Sequence, residues 1–428
     1  MHKKCTKWNA SVANVNFFLY LCTAFETHSS QEQQKLMLDA FYQTHKYLVE
    51  HVDFPVRRLL MDEIDWRDRL IGIKGSRGCG KTSFLLQYAK EHFGGSRECL
   101  YVNFNNLYFT EHSLVEFADE FVRGGGKTLL IDQTFKMPNW SEQLMKCYYL
   151  YTDLHIVFSA SPVMRLVEDN KDIGEIVSMY NLRGFSFREY LNLQAGTSFA
   201  PLHLEDIIDN HHSLAQMVCD KVHPLWYFAD YLQHGYYPFS LENHYYMENL
   251  LKVMNMMLEV DVLIIKQIDV SYLQKIRSLL HIFMQEAPCG INVSKLADRI
   301  DTSRATAMNY IKYLKDARLL NLLYTEDKQF PMKPQKVYLQ NTNLIYSNPH
   351  RQVSQQVVAE TFFYNAMHAR HKINASSRNA MFLVDGKYYF DVLEREPNKQ
   401  PIRLTAVGGC ENTNNTHLIP LWLFGFLY

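Results

Sequence analysis

No Cys-x-x-Cys pair occurs in the 428-residue sequence, and its eight cysteines, at 5, 22, 79, 99, 147, 219, 289 and 410, have no histidine cluster beside them. That scatter argues against a zinc framework or a disulfide scaffold and reads as reduced thiols in a cytoplasmic chain. No stretch reaches the roughly 18 uninterrupted apolar residues of a spanning helix, so neither a transmembrane segment nor a membrane partner is expected. Nor does one charge dominate: 44 Lys and Arg face 45 Asp and Glu, a net of −1. No global field draws the chain to nucleic acid or lipid, and any basic surface must be local. Apolar material is plentiful, at 47% of residues, and the length suggests roughly two to four domains.

The rest is organised around residues 69–90, RLIGIKGSRGCGKTSFLLQYAK. Leu70 to Ile73 reads as a buried strand, and Phe84, Leu85, Tyr88 and Ala89 follow at helical spacing. Between them Gly75-Ser76-Arg77-Gly78-Cys79-Gly80-Lys81-Thr82, followed by Ser83, fits G-x-x-x-x-G-K-[ST] in the strand–loop–helix setting that makes it a phosphate site. The glycines let successive N–H groups converge on one anion, and the helix start adds its dipole. Lys81 is placed to neutralise the outer phosphates of ATP, and the Thr82 hydroxyl to ligate Mg²⁺. Cys79 reads as a small residue used through its backbone, with a redox-sensitive loop as the alternative.

Ahead of this core, Lys3, Lys4 and Lys7 precede a short apolar run from Val15 to Phe25 that looks superficially like a signal peptide. Asn16 breaks the run and no small-residue cleavage site follows. Translation from Met37 is the plainer expectation, with residues 1–36 an extension. Leu38, Phe41, Tyr42, Leu48 and Val49 then mark an amphipathic helix.

Beyond the glycine loop, Cys99 to Phe104 is a second apolar strand. Thr128 to Asp132 is a third, and its terminal aspartate is placed to hold Mg²⁺ in the Walker B manner. Leu154 to Ser161 is a fourth, and a polar residue at its end, Ser159 or Ser161, is the candidate for a sensor of the terminal phosphate. Strands alternating with helices and delivering ligands from their carboxyl ends describe a parallel α/β sheet, a P-loop NTPase architecture. Gln133 is the departure. ATPases of the AAA+ kind usually carry Glu there, to orient or deprotonate the attacking water. An amide can orient water but not take its proton near neutral pH. Either ATP is bound and hydrolysed slowly, or another carboxylate, from this chain or a neighbour, substitutes.

Residues 186–270 read as a helical lid rich in Leu, Tyr and Met. The turn at Gly235 to Pro238 lies between helices, and the Met and Tyr stripes suit core better than a cofactor box. Residues 271–340 have the winged-helix order: helices at 272–284, 294–300 (Ser294 as N-cap) and 303–317, then strands at 319–324 and 335–339. The third helix offers Arg304, Thr306, Asn309, Lys312 and Lys315, types suited to phosphate and base edges, so Arg304, Asn309 and Lys312 are the candidate DNA contacts. Asp298, Asp301 and Asp316 dilute that charge, and a winged helix that only touches protein is the alternative.

The stretches DRLIGIKGSRGCGKTSFLLQY, IDQTFKMPNW, HIVFSAS and GFSFREYL resemble the AAA_14 ATPase family. In that family a DUF4143 domain follows, and ARLLNLLY, KVYLQNTNLIYS and IPLWLFGFLY are similar to it. The resemblance runs from Met37 to Tyr428 in matching order. It implies a AAA-type ATPase with a lid, a winged helix and a tail like a PD-(D/E)xK nuclease. The family's Walker B glutamate is replaced here, and its basic run after the sensor strand is reduced to Arg165, a candidate arginine finger or an exposed helix residue. Arg183 and Arg188 are further candidates, with Arg188 better suited to holding the junction between ATPase domain and lid. In the tail, Glu360 lies in a helix and Asp391 at the end of a strand. The next strand, Ile402 to Val407, lacks the Glu-x-Lys that nuclease chemistry requires. The terminal Ile419 to Tyr428 reads as a buried strand. The expectation is an ATP- and Mg²⁺-binding switch with impaired turnover, acting on DNA or a protein partner and open to oligomer formation. A scaffold with a relic P-loop is the runner-up, and an active nuclease is disfavoured.

Overall fold

A computed structural model describes residues 30–52, 55–164, 171–242, 245–349 and 351–428. The apolar run at 15–25 and Arg165 lie outside the described residues.

Five short runs form the first sheet: β1 (Leu70–Lys74), β2 (Cys99–Asn103), β3 (Thr128–Asp132), β4 (His155–Ala160) and β5 (Ser178–Asn181). Their order is β2-β3-β4-β1-β5, and every pairing is parallel. Alternate side chains feed opposite faces, as the two-residue period of a strand requires. Leu100, Val102, Leu129, Ile131, Ile156 and Phe158 pack under helices α1 (Ser30–His51), α3 (Leu114–Arg123) and α4 (Trp140–Leu150). Ile71, Ile73, Tyr101, Leu130 and Val157 pack under α2 (Lys81–His92). Both faces are covered, which is why the strands are apolar throughout rather than alternating. The fold is therefore a P-loop NTPase sheet of AAA type. β5 has no counterpart among the expected strands. Its sequence, Ser-Met-Tyr-Asn, is polar at both ends because it is a half-exposed edge strand.

The chain then turns into helices α5 (Phe187–Ala195), α6 (Leu204–Cys219), α7 (Pro224–Asp230) and α8 (Tyr246–Met256). Helix α9 (Leu273–Glu286), α10 (Val293–Arg299) and α11 (Arg304–Asp316) follow, with an antiparallel pair, β6 (Leu320–Leu323) and β7 (Lys336–Leu339). The second of these helices starts one residue earlier than expected. Asn292, not Ser294, caps it by accepting from the Lys295 N–H. The Met and Tyr residues of the lid are largely core: Tyr231, Tyr236, Tyr237, Met254 and Met257 are buried.

A second sheet, ordered β12-β11-β10-β9-β8, closes the chain behind helix α12 (Gln355–Met367). Its strands are β8 (Ile373–Ala375), β9 (Phe382–Val384), β10 (Tyr388–Leu393), β11 (Leu404–Val407) and β12 (Leu418–Pro420). Two expectations need correcting. The terminal apolar segment is a strand only to Pro420; Leu421–Phe426 coils into 3₁₀ turns. Those turns bury Trp422 and bring Gly425 so close to Phe187 that a Cβ there would meet it at 2.5 Å. Asp391 is mid-strand rather than at a strand end, since β10 continues to Leu393. One hydrophobic core runs unbroken from the lid helices through α9–α11 to the second sheet. Among the described residues no helix is long and apolar enough to cross a membrane.

Candidate functional site

The carboxyl ends of β1, β3 and β4 open into a cavity of about 890 Å³. The glycine loop forms one wall. Gly78 and Gly80 take positive φ (77° and 92°), the left-handed region closed to most side chains. A Cβ on Gly78 would also come within 2.9 Å of the Phe239 ring, so the lid turn after Pro238 seats directly on the loop. Lys81 opens α2 and donates from Nζ to the carbonyls of Gly75 (2.7 Å) and Ser76 (2.9 Å). Thr82 and Ser83 line the cavity beside it. The Cys79 side chain is fully buried, and its carbonyl accepts from Arg58 at 3.1 Å.

Asp132, 3% exposed at the end of β3, gathers the next layer. Its Oδ2 accepts from the Thr82 hydroxyl (2.6 Å) and the Tyr101 hydroxyl (3.0 Å). Its Oδ1 accepts from Ser159 and from the Gln133 N–H (2.9 Å). Burial, and then the Asp132 carboxylate, push the Tyr101 phenol well above its usual range, so it remains a proton donor. Four neutral donors thus converge on one carboxylate. Thr82 Oγ1 and Asp132 are the hard oxygen pair that suits Mg²⁺, so the donor set fits that ion. Gln133 itself has φ 56°, which turns its N–H toward Asp132 and Ser159 and leaves its side chain half-exposed at the cavity. Among the described lining residues the carboxylates are Asp132 and Asp261, and the arginines are Arg58 and Arg77.

Sequence reasoning placed Lys81, Thr82, Asp132, Gln133 and Ser159 in one site, and the structure brings them together. Its other arginine candidates need correcting. Arg183 donates to the carbonyls of Asn365 (3.2 Å) and His368 (2.8 Å), facing α12 rather than the cavity. Arg188 is buried against the carbonyls of Tyr428 (3.2 Å) and Phe199 (3.3 Å), tying the lid to the last residues of the chain. Both guanidiniums go to carbonyls that neither motif nor spacing announces.

Three residues of the site escaped the sequence: Arg58 and Asp261, which line the cavity, and Tyr101, which backs Asp132. Arg58, 7% exposed, pairs with Glu189 (3.1 Å) and donates to the carbonyls of Arg183 (2.7 Å) and Gly184 (3.0 Å) as well as Cys79. Glu189 also closes the capping box of α5 with Ser186, so this one pair fixes the start of the lid against the glycine loop. Tyr101 sits two residues before Asn103, the register partner of Asp132. Asp261, 1% exposed in the turns after α8, pairs with Arg77 (2.8 Å) and accepts from Ser161 (2.7 Å). An acid in an apolar run (Val260 to Ile265) was the available signal.

The match to known proteins now has a place in this geometry. Residues 67–191 match the family model AAA_14, described as an AAA domain. The chain carries an AAA-type ATPase domain. An uncharacterized protein of Methanocaldococcus jannaschii is 25% identical over 290 residues, which cover 64% of this chain and 60% of that relative. Among solved structures, Thermotoga maritima RuvB aligns over 76% of this chain and 96% of its own, at 13% identity and a TM-score of 0.29. The Aeropyrum pernix Orc1 protein in complex with DNA aligns over 77% and 96%, at 11% identity and a TM-score of 0.29. These scores are too low to transfer anything from those two proteins to the ATPase domain described here.

Elsewhere, Arg304 and Asn309 of α11 are exposed, while Lys312 is half-buried with its Nζ 4.6 Å from the Phe330 ring centroid. In the second sheet, Asp391 accepts from the Met381 N–H (3.0 Å) and lies 3.5 Å from the Arg403 guanidinium. Its register partner on β11 is Thr405. Glu360 is held by Lys336 (3.2 Å), Tyr338 (3.3 Å) and Gln356 (3.1 Å). No group of three or more His, Cys, Asp or Glu is placed to share a metal among the described residues.

Proposed function

We propose that this protein is an ATP-operated switch: it binds Mg²⁺–ATP tightly, turns it over slowly, and uses nucleotide occupancy to set how the lid and the α9–β7 unit meet a partner. In this reading Lys81 moves its charge from the loop carbonyls to the outer phosphates, and Thr82 and Asp132 hold the metal. Ser159 orients Asp132 and the phosphate side of the cavity. The observation that carries the proposal is the Walker B turn. Gln133 stands where a base would stand, and the cavity's other described carboxylate, Asp261, is already paired with Arg77. An amide that only orients water forgoes the roughly 10²–10⁴-fold that a positioned base contributes. Arg304, Asn309 and Lys312 of α11 make DNA the partner to try first, through a winged-helix arrangement of α9–β7; a protein partner is the alternative outcome.

The test is paired: fluorescent-nucleotide titration and ATP turnover for wild type, Gln133→Glu and Lys81→Ala. Tight binding with near-zero turnover, raised by Gln133→Glu and abolished at the binding step by Lys81→Ala, is the expected result. Ordinary turnover in the wild type would mean another group supplies the base. Equal DNA retention with and without ATP would rule out the switch on DNA.

A further inference from the structure

We infer that Arg77 is the residue by which this site tells ATP from ADP, and that Asp261 of the lid is the counter-charge it leaves to do so. This rests on the ATP-binding reading above and adds to it a named sensor of the third phosphate.

Arg77 belongs to the glycine loop, yet its side chain leaves the loop. Its Nε donates to Asp261 Oδ2 at 2.8 Å, across 184 residues of sequence. The guanidinium carbon lies 5.3 Å from the centroid of Phe135, the ring that follows the Walker B turn. The Nη2 atom is buried and makes no hydrogen bond among the described residues. A guanidinium offers five donors in a fixed fork, so a half-used one at the wall of a phosphate cavity retains capacity for an anion. Asp261 is the opposite case. One oxygen takes Arg77 and the other takes the Ser161 hydroxyl, which follows the Ser159 strand. With the carboxylate 1% exposed, these two bonds join the glycine loop, the β4 loop and the lid at one point.

Around that point, Lys81, Thr82, Asp132, Gln133, Ser159 and Ser161 line the same cavity as Arg77 and Asp261. A terminal phosphate held by Lys81 and Thr82 brings an anion to the wall that Arg77 shares. It competes with Asp261 for the guanidinium, and two of its oxygens can accept the planar fork in two parallel bonds. ADP brings no third phosphate to that wall. Transfer of Arg77 leaves Asp261 a buried carboxylate without its cation, a costly arrangement. The lid segment bearing it is thereby driven off the loop, which couples phosphate count to lid position.

The experiment measures ATP and ADP affinity, with Mg²⁺, for the full chain carrying Arg77→Gln, Asp261→Asn, both together, and Lys81→Ala as reference. Arg77→Gln should weaken ATP about tenfold, the equivalent of one good charge-assisted bond, and move ADP by no more than about twofold. Asp261→Asn removes the competitor and should strengthen ATP severalfold without touching ADP. The double variant removes both charges, so no buried charge is left unpaired. It folds where a single variant fails, and it should follow Arg77→Gln with no gain from the second change. Equal shifts for ATP and ADP in the single variants, or in the double variant where a single one does not fold, would make the pair a structural clamp and overturn the inference. So would a weaker ATP affinity in Asp261→Asn. If Lys81→Ala abolishes both nucleotides while Arg77→Gln behaves as wild type, the ATP site stands and the sensor falls. No nucleotide binding in the wild type would overturn both.

Discussion

Each of the two five-stranded sheets carries an aspartate on an inner strand, and the two acids are kept in opposite ways. Asp132 is bonded by Thr82, Tyr101, Ser159 and the Gln133 N–H, all neutral donors, at the mouth of a large cavity. Asp391 faces a cation, the Arg403 guanidinium, and its neighbour in register is Thr405. Neutral hydroxyls leave a carboxylate's charge uncompensated, so a metal ion can still add to the group. An arginine supplies that charge permanently, so a metal would have to displace it. An aspartate on a strand is therefore a poor guide to chemistry by itself. The sign and mobility of its partners decide whether it can hold a cation.

The pair of substitutions that isolates this contrast is Asp132→Asn against Asp391→Asn. The first should have by far the larger effect of the two, lowering Mg²⁺-dependent ATP affinity by about 100-fold or more, since a charged ligand is lost from a desolvated site. Titration of Mg²⁺–ATP reads it directly, and an unchanged affinity would break the comparison at its stronger end.

Next in size is Arg58→Met. It keeps the bulk of the side chain but leaves Glu189 buried without its cation, and should cost about 3 kcal/mol by denaturant midpoint. The same change should loosen the lid's seat on the glycine loop, visible as faster amide exchange over residues 183–189.

A pH effect of similar origin follows from His45, buried under the first sheet. Its Nδ1 accepts from the Tyr101 N–H at 3.0 Å, and burial lowers its pKa to about 4. The folded ring resists the proton that the unfolded chain accepts near its ordinary value of 6.5. The contribution is therefore fully present above about 6.5 and is lost as pH falls from there toward 4. The His45→Gln variant keeps an acceptor for Tyr101 without the titration, so its stability should fall less over that window. Parallel acid profiles of wild type and variant would show that His45 is not the group responsible.

Asp391→Asn should do least. Its side chain is 30% exposed and its ion pair with Arg403 is partly solvated, so the change should cost less than about 1 kcal/mol. ATP binding should be unaltered, and added Mg²⁺ should shift the unfolding midpoint of wild type and variant equally. A Mg²⁺ shift lost only in Asp391→Asn would give the second sheet a metal site after all.

Much of the first sheet was legible because its demands are local. A glycine loop needs residues free to take positive φ, and strands buried on both faces need short apolar runs, so β1 to β4 could be read almost to the residue. β5 could not, because an edge strand with half-exposed polar ends carries no such pattern. The three helices and two strands of residues 273–339 were also visible, but their caps were not: Asn292 rather than Ser294 caps α10, and Ser303, read as the first helical residue, caps α11 by accepting from the Thr306 N–H. The terminal segment was legible as buried but not as 3₁₀ turns, since apolar composition records burial and not backbone path.

The amino-acid sequence alone therefore determined the phosphate loop, the acid that faces it and the amide in place of its usual base, because each is fixed by residues adjacent in the chain. Tertiary structure alone decided which charges reach that loop. Arg58 meets Glu189 across 131 residues, and Arg77 meets Asp261 across 184, while Arg183 turns away to carbonyls at the end of α12 and Arg188 to those of Phe199 and Tyr428. The reason is physical. A long charged side chain has many low-energy conformations, and only the docking of distant elements around it selects the one partner that compensates its burial.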